Sequence, residues 1–126
     1  MSDADGSVRV PGVLWHVTVT LHGNPSPVRQ LQDSLTELAF LHPFDMAVRF
    51  AGDTAELRYW DEGQDCRGVV ERALALWDEH RADLGLPAWP VVGVEVLDRF
   101  TFRRRWTVDN PLAHLLAPGV LPFPRG

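Results

Sequence analysis

His16 and Thr18 stand two residues apart in the run Val13-Leu14-Trp15-His16-Val17-Thr18-Val19-Thr20-Leu21, where apolar and more polar side chains alternate. A period of two is that of a β-strand, so both side chains project from one face. Arg49 falls in a second alternating run, with Met46, Val48 and Phe50 on the other parity. Glu56, Arg58 and Trp60 share one parity of a third run, against Ala55, Leu57 and Tyr59. An imidazole beside guanidinium groups and a carboxylate has the components of acid–base chemistry. The same groups suit an anionic or enolic ligand, with Trp60 as an apolar wall. His16, Thr18, Arg49, Glu56, Arg58 and Trp60 are therefore the candidate ligand-binding residues. The set also has plainer readings. One is a solvated face of an antiparallel sheet; the other is a dimer interface that buries Trp60 and Leu14 against a second copy.

Other chemistries find less support. The turn His22-Gly23-Asn24-Pro25-Ser26-Pro27 precedes a helix start, yet its two prolines remove backbone donors that a phosphate would need. Cys66 lies at the start of the second helix, where a thiol's pKa falls. Asp61, Glu62 and Asp65 oppose that effect, and position 66 belongs to the helix's apolar stripe, so a buried inert thiol is expected. The five histidines show no HxH or HExxH spacing. His16 and His22 share strand parity but are about 20 Å apart along a strand. No metal or other cofactor is expected. Arg103-Arg104-Arg105-Trp106 has the composition of a nucleic-acid patch, but it is short and belongs to an acidic chain. It reads as a strand end whose arginines pair with the protein's own carboxylates.

The elements that must position these residues follow from hydrophobic period. Strands are expected near 13–21, 45–51, 54–60 and 91–102, and helices near 27–41 and 64–84. Ser26 and Pro27 are expected to open the first helix, and Pro43 to stop it near His42. Gly52-Asp53 marks a hairpin, and Gly85 the end of the second helix. Strand, helix, strand, strand, helix, strand is the order of a split βαβ sandwich. The expected fold class is α+β: a four-stranded antiparallel sheet with two helices on one face. Residues 1–12 read as a flexible arm, 13–102 as the domain, and 103–126 as a tail. The tail holds Trp106, Leu112, Leu115, Leu116, Val120, Leu121 and Phe123. So apolar a segment is expected to dock on the domain's open face, near Leu14, Trp60 and Leu97, or on a partner subunit.

With 126 residues, 45% of them hydrophobic and 23% charged, the chain suits one globular domain. The net charge of −5 opposes a polyanionic partner, so no nucleic acid is expected. No apolar run reaches membrane-helix length, and the acidic start lacks a signal peptide's pattern, so a cytoplasmic location is expected. All 12 basic residues are arginine, and lysine and isoleucine are absent, as in proteins of GC-rich bacterial genomes.

Over 13–102 this pattern resembles the ferredoxin-like superfold. Within it, Gly23 is not followed by the small-residue helix start of amino-acid-sensing ACT-type domains. His16 and Thr18 stand where an RNA recognition motif would carry stacking aromatics. The MxCxxC loop of heavy-metal-binding domains is missing. The closest likeness is to small uncharacterised actinobacterial proteins, and it transfers no functional residue. The expected function is that of a binding or homodimerising module without catalytic machinery of its own. The alternative is a dimeric α+β-barrel type of enzyme or small-molecule binder that uses the open sheet face, with His16, Arg49, Arg58 and Trp60.

Overall fold

The β-branched, alternating run at the start of the domain forms β1 (Val13–His22), and it organises the rest. The computed structural model describes residues 12–41, 46–106, 110 and 112–124. Residues 1–11 of the expected arm and the helix stop at His42 lie outside the described residues. β1 pairs antiparallel with β3 (Thr54–Gly63) on one side and with β4 (Val91–Asp98) on the other. β3 also pairs with β2 (Ala47–Ala51) through the tight turn at Gly52-Asp53.

Two helices cover one face. α1 (Val28–Phe40) buries Leu31, Leu35 and Leu38; Pro27 stands at its N-cap position, one residue later than the expected cap Ser26. α2 (Cys66–Leu84) buries Val69, Ala73, Leu76 and Trp77. Asp65 caps its start by accepting from the Gly68 N–H at 2.9 Å. Gly85 ends it with a left-handed φ of 68°, a conformation that costs glycine nothing. These helices meet Val17, Val19, Leu21, Val48, Phe50, Leu57 and Tyr59, one parity of each strand, to form the core. Cys66 is exposed, contrary to the expected buried thiol: it is the first residue of α2, and burial on this helix begins at Val69.

The expected four-stranded antiparallel sheet with two helices is not what forms. The sheet has five strands in the order β4-β1-β3-β2-β5 and is mixed, and the described chain has three α-helices. Two segments account for the difference. The strand expected to run to Phe102 stops at Asp98, whose carboxylate accepts from the Thr101 N–H at 2.7 Å and caps α3 (Arg99–Arg105). Val94, Val96, Phe100 and Phe102 keep a period of two across that boundary, which imitates one long strand. The tail then adds β5 (Gly119–Pro122), parallel to β2. The receptor of β5 is the free edge of β2, whereas Trp106, at the start of the tail, meets the open face, stacking on Phe102 and lying 5.9 Å from Arg58. An edge strand's unpaired backbone groups are satisfied at β2: Gly119 N–H donates to Met46 O at 3.1 Å, and Phe123 N–H to Phe50 O at 2.9 Å.

Candidate functional site

The second sheet face carries the other parity: His16, Thr18 and Thr20 of β1, Arg49 of β2, and Glu56, Arg58 and Trp60 of β3. Register sets their neighbours. His16 lies opposite Trp60, Thr18 opposite Arg58, and Glu56 opposite both Thr20 and Arg49. α3 lies over part of this face and seats Phe102 on it. The rings of His16 and Phe102 are 4.3 Å apart, those of His16 and Trp60 5.1 Å, and those of Trp60 and Phe102 4.7 Å. These are edge and tilted contacts of the kind that aromatic quadrupoles favour.

His16 is only 4% exposed, and its Nδ1 has no hydrogen-bond partner among the described residues. Burial first, and the positive charge of Arg58 second, push its pKa from 6.5 down to about 4. The ring is thus neutral at pH 7 and serves as a wall of the aromatic cluster. Arg58, 8% exposed, binds Glu56 at 2.6 Å and lies 5.9 Å from the centre of the Trp106 ring. Its Nε and Nη1 are buried without a hydrogen-bond partner among the described residues.

Arg49 is turned to another task. It is 3% exposed, and its guanidinium donates to Val48 O at 3.0 Å, Gly119 O at 3.1 Å and Ala117 O at 3.0 Å. It clamps the approach to β5 against β2. Burial and the charge of Arg58 hold its pKa below the ordinary arginine value. Of the six residues expected to form a site, the structure therefore gathers His16, Arg58 and Trp60, with Glu56 tied to Arg58 and Thr18 alongside. Arg49 is occupied by the tail.

Beside the aromatic cluster lies an open cleft of about 370 Å³, lined by Leu14, Trp60, Arg99, Phe102 and Arg103. Its floor comes from β1 and β3 and its wall from α3. Sequence reasoning missed Arg99, Phe102 and Arg103, because it assigned them to a strand or its end. The signal was the cap: an Asp at 98 with Thr three residues on starts a helix, and a helix puts positions 99, 102 and 103 on one side. The expected arginine–carboxylate pairing at 103–105 holds for Arg105, which reaches Glu95 at 2.8 Å.

Among the described residues no three His, Cys, Asp or Glu side chains gather in a way that would hold a metal ion. No helix of the described residues is long and apolar enough to cross a membrane. A family model described as Domain of unknown function (DUF8830) matches residues 14–112, a span that contains every residue lining the cleft and ends before β5. No curated protein and no solved structure matches the chain.

Proposed function

The chain belongs to the DUF8830 family, and on that premise we propose that it is a small-molecule binding module whose site is the cleft between α3 and the β1–β3 face. One observation carries the reading: an apolar concavity of about 370 Å³ opens beside a buried aromatic cluster, with Trp60 and Phe102 both partly uncovered in it. That volume lies in the range of small-ligand pockets, which are mostly apolar with a few polar groups at fixed places. The walls are preformed, since Phe102 is held by His16 and Trp60 and α3 by the Asp98 cap. The single cysteine, free and exposed, suits a reducing cytoplasm.

The test is an amide-resolved NMR titration with a panel of metabolite-sized apolar compounds. Binding at the cleft moves the signals of residues 14, 60 and 99–103. Perturbations confined to α1 or α2, or no response to any compound, would count against the cleft.

A second reading, homodimerisation, rests on a different feature. β4 is an eight-residue edge strand, and Val92 on it is 58% exposed. An edge of this length is a template for pairing with a second copy. Sedimentation of the wild type and of Val92→Lys measures it; a wild-type monomer at high micromolar concentration sinks it.

A further inference from the structure

We infer that the ligand of the cleft is an apolar monoanion, a carboxylate on a hydrophobic body, whose charged end is held by Arg99 and Arg103 at the rim. This rests on the cleft being a binding site. Arg99 and Arg103 are four residues apart on α3, so their side chains leave the helix on the same side, and both line the cleft. Neither has an ion pair or hydrogen bond from its side chain among the described residues. Their neighbours are engaged: Arg104 lies 5.7 Å from the centre of the Phe100 ring, and Arg105 pairs with Glu95.

The placement is unfavourable without an anion. Like charges four residues apart repel along a helix. The Asp98 carboxylate already caps the N-terminus of this helix, so the cost left unmet is the repulsion between the two arginines. A carboxylate between the two guanidinium groups would remove this cost and gain the forked hydrogen bonds that match it.

The surroundings limit the anion to a low charge. Glu62 is the cross-strand partner of Leu14 on the floor, Asp98 starts α3, and the whole chain carries −5. A polyphosphate would meet that field, whereas one carboxylate is matched by two arginines. The apolar floor of Leu14 and Trp60 and the Phe102 wall then take the ligand's body, as in an aryl acetate or a medium-chain acyl carboxylate.

The experiment compares phenylacetate and octanoate with their uncharged amides, by calorimetry and amide-resolved NMR, on the full chain and on the Arg99→Gln/Arg103→Gln variant. The expected result is that each carboxylate binds the wild type about tenfold tighter than its amide. The preference should collapse in the double variant and weaken with added salt. Equal binding of acid and amide by the wild type, at the cleft, overturns the anion inference and leaves the binding site standing. A carboxylate preference that survives in the double variant overturns the assignment to these two arginines. If neither acid nor amide moves the cleft signals, the inference and the binding site both fall. A dispersed amide spectrum and a wild-type melting temperature show that the variant is folded.

Discussion

Replacing His16 by Phe should make the protein resistant to mild acid. The wild-type imidazole is buried, and its folded-state pKa is about 4 against 6.5 in an exposed chain. A base whose pKa falls on folding binds its proton better in the unfolded chain. Stability is therefore full above the unfolded value and is lost as pH falls toward the folded one. At 1.36 kcal/mol per pH unit the whole loss is about 3 kcal/mol, of which about 2 kcal/mol is gone by pH 5. For a domain of this size that is a fall in Tm of about 8 °C by pH 5. Phenylalanine keeps a ring between Trp60 and Phe102, and no hydrogen bond of Nδ1 is lost because it has no partner among the described residues. The carboxylates titrate alike in both proteins, so they cancel in the difference. Urea unfolding between about pH 7 and about pH 4 reads it directly: the two curves should diverge as pH falls. Parallel curves would mean that His16 titrates as an exposed imidazole and that α3 is not seated over it.

Arg49→Met should remove the clamp on the tail, costing about 2–4 kcal/mol for two charge-assisted bonds to Gly119 O and Ala117 O. Hydrogen exchange should then show faster exchange at the Gly119 and Phe123 amides; unchanged protection there would refute the clamp. Gly23→Ala should cost about 1–3 kcal/mol. Its Cβ would strike the Trp89 ring, which cannot yield because its Nε1–H donates to Asn24 O at 2.7 Å and it stacks on Trp77 at 6.0 Å. Near-ultraviolet circular dichroism of the stacked indoles reports it, and an unaltered spectrum with an unchanged melt would show that the loop has room.

Local periodicity made the strand faces legible. Val17, Val19, Leu57 and Tyr59 stand on the core side and His16, Thr18, Arg58 and Trp60 on the other, as their alternation implies. The α+β class, the hairpin at Gly52-Asp53 and the Gly85 stop were readable for the same reason: each depends on residues close along the chain. Two features were not. Whether the chain after Asp98 stays extended or coils is a contest between a continuing two-residue period and one capping bond. It was won because coiling lets Phe102 stack on His16 and Trp60, contacts that no sequence distance reveals. Where the apolar tail docks was decided by the open edge of β2, whose unpaired backbone groups exist only once the sheet has formed. The sequence by itself thus determined which face each strand residue occupies, because side-chain direction is set by the local backbone. Only the tertiary structure decided that Arg49 holds the tail while Arg99 and Arg103 rim the cleft, because those partners lie on elements far apart in the chain.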